Sequence, residues 1–263
     1  MGPLAWLTTA LLEVVYPERC FLCGAMRGET SWETCGCRVA GLRFWDEAHL
    51  CRSCSGTLVA ETVTGVVGQG HAGCLKVAAA SATHADLVKL VGGFKYHGLR
   101  GLAWPLARRL RNPLVRAQGS VGHVDALVPV PLHARRRRVR GFNQAEILAR
   151  LVGAESDLPV LADVLVRRRN TGQQARIGSV AKRRRNLTNC YRAGPPVETR
   201  GDRGRGFRRI GLVDDLVTSG WTAVAAAATL RASGWEVAWV LTLGLAAKAR
   251  NPTSNIDTWV DGF

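Results

Sequence analysis

Residues 209–246 constrain the fold more than any other stretch of this chain. They run as RIGLV, the pair Asp214–Asp215, the loop LVTSG, the alanine-rich GWTAVAAAATLRASG and the apolar WEVAWVLTLGLA. The apolar, β-branched runs predict strands at 209–213 and 235–246, and the middle predicts a helix over 220–234. Strand, helix, strand in that order predicts an α/β chain with a mainly parallel sheet and flanking helices on both faces. Upstream, LKVAAAS (75–81) reads as a strand and DALVPVPLH (125–133) as a buried strand leaving into a loop. ATHADLVKLVGGFKYHG reads as a helix stopped by Gly92 and Gly93. LAWPLARRL (102–110) is helical with Pro105 in its first turn, and FNQAEILARLVG (142–153) has helical spacing. The polar, Arg-rich residues 167–189 predict a long mobile loop, 194–206 a second loop, and residues after Lys248 a frayed tail.

The chain has 263 residues, 47% of them apolar, enough for one core or one core with a small appended module. No apolar run reaches 18 residues, so no membrane span is expected. Residues 1–19 have an apolar stretch with no basic residue before it and with Glu13 inside it. That reads as a docking helix rather than a signal peptide, which makes a cytoplasmic location the expectation. The net charge of +16 is concentrated, because residues 100–209 hold 25 basic and 7 acidic residues. Such a field suits a phosphate-rich partner, a polyphosphate or a nucleic acid. An arginine-rich composition with solvated side chains accounts for it equally, since 31 of the 36 basic residues are Arg.

Six of the eight cysteines fall within residues 20–54. The pairs Cys20–Cys23 and Cys51–Cys54 are each C-x-x-C, and together they offer four thiolates to a structural zinc. Cys35 and Cys37 could replace one pair or fill the insertion between them. Cys74 and Cys190 stand alone and are expected to be buried. GQGHAG (68–73) matches a dinucleotide fingerprint in letters only: no convincing strand precedes it and no long helix follows, so it reads as a linker.

Asp214 and Asp215 fall where the strand 209–213 should end, and ligands in open α/β sheets sit beyond such ends. The following Thr218, Ser219 and Gly220 lead into a helix N-terminus, the layout of an anion cradle. Carboxylates accept from vicinal hydroxyls, so a diol at one end and a phosphate at the other describe the ligand: a ribose 5-phosphate. The competing reading is a capped helix beside two solvated aspartates.

IGLVDDLVTSGWT (210–222) resembles the signature by which type I phosphoribosyltransferases bind 5-phosphoribosyl 1-pyrophosphate (PRPP), although Trp221 is bulkier than usual there. FKYHG (94–98), VPVPLHARRRRVRGFNQA (128–145) and RRRNTGQQARIGSVAKRRRN (167–186) precede it in the order seen in the ComF family, also called GntX-like or amidophosphoribosyltransferase-like. The resemblance implies a type I phosphoribosyltransferase domain over 75–247, a zinc-ribbon-like module within 1–65, and a tail over 248–263. It implies that Asp214 and Asp215 hold the ribose, that Thr218, Ser219, Gly220 and Thr222 hold the 5-phosphate, and that magnesium accompanies PRPP. Arg135 and Arg140 become candidates for pyrophosphate. Arg169, Thr171, Gln174, Arg185 and Asn186 become candidates on a closing hood, and Lys95 and Tyr96 match without an assigned role. It further implies a phosphoribosyltransferase of unstated acceptor, with a link to DNA uptake and to partners in the competence machinery. Single-stranded DNA binding and PRPP sensing without turnover are the alternatives.

Overall fold

The central sheet has five strands, in the spatial order β3 (Val63–Val67), β4 (Leu75–Ala82), β9 (Glu236–Leu245), β8 (Arg209–Val217) and β5 (Ala126–Pro129). They appear in a computed structural model that describes residues 19–26, 38–39, 42–43, 50–57, 61–68, 74–169, 190–196 and 207–247. Counted over these residues, β1 (Arg38–Val39) and β2 (Leu42–Arg43) form a small ladder of their own, and α1 (Arg52–Thr57) follows. In the sheet, β4, β5, β8 and β9 are parallel neighbours. β3 adds an antiparallel edge to β4. The α/β class with a mainly parallel sheet is therefore as expected.

Helices α2 (Ala85–Tyr96), α3 (Ala103–Arg108) and α4 (Arg111–Val121) cross between β4 and β5. After β5 come α5 (Ala134–Arg140) and α6 (Gln144–Glu155), and α7 (Trp221–Ala232) joins β8 to β9. Two apolar layers result, because neighbouring strand residues face opposite sides. Ala78, Ala80, Trp239, Leu241 and Leu243 join Leu87, Leu90, Phe94, Leu106 and Leu148 on one face. Val77, Ala79, Val128, Leu212 and Val240 join Ala223, Ala227 and Leu230 of α7 on the other.

Five local expectations are corrected. Helix α2 does not stop at Gly92–Gly93 but runs on to Tyr96. Glycine disfavours a helix by only about 1 kcal/mol relative to alanine, and here it admits a neighbour: a Cβ on Gly93 would meet the Phe21 ring at 2.7 Å. Strand β8 does not end at Val213. Its ladder with β9 continues through Asp214↔Thr242 and Val217↔Leu245, so the aspartates lie inside the strand. Residues 134–140 form a helix rather than a loop. Cys74 is exposed, whereas Cys190 is buried as expected. GQGHAG does follow a strand, β3, but a strand and not a helix comes next, so its rejection stands on that ground.

β6 (Leu165–Arg167) pairs antiparallel with β7 (Tyr191–Ala193), a ladder that the polar sequence between them concealed. The docking helix, Cys35 and Cys37, the hood candidates Thr171, Gln174, Arg185 and Asn186, and the tail lie outside the described residues. Among the described residues no helix is long and apolar enough to cross a membrane.

Candidate functional site

Strand β5 pairs with β8 only as far as Pro129↔Val213, with one further bond from Val130 N–H to the Val213 carbonyl at 2.9 Å. Beyond that point, among the described residues, β8 keeps only β9 as a ladder partner. Asp214 and Asp215 therefore stand where a notch opens in the sheet, and both are half-buried. Their backbone is pinned by the Thr242 hydroxyl, which donates to the Asp215 carbonyl at 3.0 Å. Asp214 Oδ1 accepts from the Asp215 N–H at 2.8 Å.

Lys95 Nζ donates to Asp215 Oδ1 at 2.6 Å. The lysine sits in the last turn of α2, where a cation also suits the helix dipole. Burial pushes the Asp214 carboxyl up to about 7, and the Asp215 charge adds to the rise. Lys95, the Asp215 N–H and Arg167 oppose it. Tyr191 belongs to the same electrostatic neighbourhood: burial raises its hydroxyl, Arg167 opposes, and Asp214 adds. The Arg167 guanidinium lies 5.6 Å from the centre of the Tyr191 ring. The site thus holds one ion-paired carboxylate and one carboxyl that titrates near neutrality.

Thr218 and Ser219 follow β8 directly and are exposed. Gly220 caps α7 in the left-handed region at φ 73°, and a Cβ there would meet Val67 at 2.5 Å. Only glycine fits both demands. No side chain caps α7 from this position, and Thr222 lies half-buried in the first helical turn. The acidic pair and the Thr-Ser-Gly turn are therefore brought to one end of β8.

The arginine candidates divide. Arg140 donates to Gln144 Oε1 at 2.6 Å and lies 5.0 Å over the Tyr96 ring, beside Lys95. Arg135 and Arg169 are exposed. The RGFNQA motif turns out to stitch elements together. Phe142 lies 5.4 Å from the Phe94 ring and carries Arg100 at 4.9 Å. Asn143 Nδ2 donates to the Val130 carbonyl at 3.2 Å, which holds the end of β5 beside the notch. Lys95 had a motif match but no role, Arg167 opened the hood stretch 167–186 without being singled out, and Tyr191 had no local signal for this neighbourhood. An open hollow lined by Arg208, Arg231, Trp235 and Glu236 lies at the opposite ends of β8 and β9 from the aspartates.

Cys20, Cys23, Cys51 and Cys54 bring their four sulfurs within 4.8 Å of one another. A tetrahedral zinc with Zn–S near 2.3 Å needs sulfurs about 3.8 Å apart. Cys23 and Cys51 are 3.8 Å apart, so the donor set fits. The first pair forms a knuckle, with Gly24 N–H bonding to the Cys20 carbonyl at 2.8 Å. In the second pair, Cys51 precedes α1 and Cys54 lies in its first turn. Burial pushes the Cys20 thiol up, but the N–H groups of Cys23, Cys51 and Leu22 and the Cys23 thiol bring it down to about 6. Burial and its sulfur neighbours push the Cys54 thiol up. Four thiolates cannot crowd together without a cation, which is the charge a structural zinc would supply.

No protein-family model matches this chain. Over 112 residues it is 33% identical to competence protein F of Haemophilus influenzae, covering 43% of this chain and 46% of that protein. Over 221 residues it is 28% identical to the DNA utilization protein YhgH of Salmonella typhimurium, covering 83% of this chain and 92% of that one. The chain is a homologue of competence protein F and YhgH. A third homologue, competence protein ComFC of Bacillus subtilis, is 35% identical over 108 residues, 41% of this chain and 39% of its own. The ComF resemblance read from the motifs is thus matched by homologues bearing those names. The match spans about half the length of the Haemophilus protein. Among solved structures, orotate phosphoribosyltransferase from Aeropyrum pernix aligns with 74% of this chain and 83% of its own, at 14% identity and TM-score 0.33. At that level the strand order and the site geometry carry the reading.

Proposed function

We propose that this protein binds PRPP at Asp214–Thr222 and transfers its phosphoribosyl group. The carrying observation is the pair of half-buried carboxylates at the notch of β8, followed after two residues by the exposed Thr218 and Ser219 and the uncapped start of α7. A diol accepted by the carboxylates and a phosphate received by the turn would run along one strand end. Transfer would break the bond from C1 to pyrophosphate through an oxocarbenium-like state and pass C1 to an acceptor nucleophile. No covalent nucleophile from the protein is required; orientation, neutralisation and water exclusion suffice. Asp214 and Asp215 would orient the ribose, Thr218, Ser219, Gly220 and Thr222 would hold the 5-phosphate, and Arg140 would face the pyrophosphate end. Magnesium belongs to the ligand and would lower the charge of the leaving pyrophosphate.

Differential scanning fluorimetry with PRPP and magnesium tests the reading. A rise in Tm with wild type, abolished by Asp214→Asn with Asp215→Asn, supports it; no rise at millimolar PRPP defeats it. Pyrophosphate release separates transfer from sensing without turnover.

A second reading has its own observation. Helix α5 carries Arg135, Arg136, Arg137, Arg138 and Arg140 with no buried residue, and the homologues' names concern DNA utilization and competence. Such a helix suits nucleic-acid phosphates. Stacking is only partly served, since Phe142 and Tyr191 are buried while Tyr96 is exposed beside Arg140. Binding to single-stranded DNA that weakens steeply with salt would favour it.

A further inference from the structure

Lys95 and Asp215 lie 120 residues apart in sequence, yet their ion pair is nearly closed to solvent, with side chains 18% and 13% exposed. Salt screens such a pair far less than a surface one. The helix that presents Lys95 is itself held from outside the sheet. Two residues before the lysine on the same helix, the Phe21 ring occupies the space a side chain at Gly93 would need. Lys89 Nζ donates to the Leu22 carbonyl at 3.1 Å and stands 5.6 Å from the Phe21 ring centre. The Phe21 and His97 rings lie 6.4 Å apart. Phe21 and Leu22 are the two residues between Cys20 and Cys23, and Cys20, Leu50 and Cys51 share a core cluster with Leu87, Leu90 and Phe94 of α2. One helix therefore joins the cysteine cluster to the acidic pair.

The link has a chemical consequence. Two bare carboxylates would repel a sugar polyphosphate. Lys95 cancels one of the charges, and a proton on Asp214 cancels the other. The charged and titratable groups facing Asp214 are Asp215 on its own strand, Lys95 on α2, and Arg167 and Tyr191 on the β6–β7 ladder. Of these, the lysine holds Asp215 directly.

We propose that Lys95 is a positioning residue for the Asp214–Asp215 diol site, and that the Cys20–Cys23 loop fixes it there through Phe21. This rests on the reading of that pair as a diol site. Lys95 acts through Asp215, setting its orientation and the charge of the pair before a ligand arrives.

The test follows the aspartate carboxyl carbons by NMR across pH in the zinc-loaded full chain, beside calorimetry of PRPP with magnesium at two pH values flanking neutrality. Wild type, Lys95→Met, Lys95→Arg and Phe21→Ala are compared. Lys95→Met should raise the Asp214 midpoint by about one pH unit. It should weaken PRPP binding by about tenfold on the alkaline side and by less on the acidic side, where protonation relieves the repulsion. Lys95→Arg should restore both, and Phe21→Ala should move the midpoint in the same direction by less. An unmoved midpoint in Lys95→Met, or an equal loss of affinity at both pH values, overturns the positioning role. An unmoved midpoint in Phe21→Ala overturns the link to the cysteine loop. A wild type that titrates as expected but takes up no PRPP overturns the diol site itself, leaving the coupling of lysine to carboxylate intact.

Discussion

The ring of Phe21 stands where a side chain on Gly93 would begin, 2.7 Å from the position of its Cβ. The cysteine knuckle and helix α2 are thereby packed to contact at a site that only glycine allows. Gly93→Ala gains about 1 kcal/mol of helix propensity but forces overpacking that costs about 1–3 kcal/mol. The substitution should destabilise the wild-type chain by about 1 kcal/mol in urea unfolding and stabilise a Phe21→Ala background by a similar amount. Equal effects in both backgrounds would show that the contact carries no energy.

Asp214 makes stability depend on pH. Its carboxyl is raised to about 7 by burial and by Asp215, so the folded state holds a proton that the unfolded chain releases near pH 4. The stabilising contribution is complete below about pH 4 and is lost as pH rises through about 7. Asp214→Asn removes the titration. The variant should therefore gain on the order of 4 kcal/mol over wild type at pH 8 and almost nothing at pH 4. Paired urea melts at the two pH values measure this, and a constant difference would refute it.

The four clustered sulfurs should bind about one zinc per chain by elemental analysis, and Cys51→Ser should lose it. Cys51 is 1% exposed and shares a core cluster with α2, so metal loss should cost several kcal/mol and loosen more than the knuckle. Hydrogen exchange should rise across residues 85–96 after chelation. Exchange confined to residues 19–57 would mean that the cluster stands apart from the helix.

Helix α5 buries none of its residues, and Arg135 and Arg138 are exposed on it. Replacing both with Gln should leave the Tm within about 2 °C, since exposed positions contribute little. If the helix meets nucleic-acid phosphates, the same change should lower affinity for single-stranded DNA and reduce the log–log salt slope by about 1–2. An unchanged slope would remove α5 from any such interface.

Much of this molecule is legible in its residues. The run from Arg209 to Leu245 declares strand, helix and strand because apolar periodicity is local. The two C-x-x-C pairs announce a thiolate site because each pair can offer two ligands to one ion, while the choice of these four over Cys35 and Cys37 was left to the fold, which brings their sulfurs within 4.8 Å. Asp214 and Asp215 stand out because paired charges after an apolar run demand a reason. The motif FKYHG marked Lys95 but could not place it, since its partner lies 120 residues away and such contacts leave no period behind.

Tertiary structure decided the rest. A strand ends where its neighbour stops pairing, not where its own apolar run stops. Strand β9 continues beside Asp214 while β5 has already left at Pro129, so the aspartates sit inside β8 and at a notch together. Glycine at 92 and 93 reads as a helix stop until Phe21 is seen to need the space at Gly93. The sequence by itself determined which residues are candidates for a ribose phosphate site and which cysteines could hold a zinc. Packing decided that Lys95 meets Asp215 and that one helix joins both sites, because proximity across so much chain is set only when the layers close.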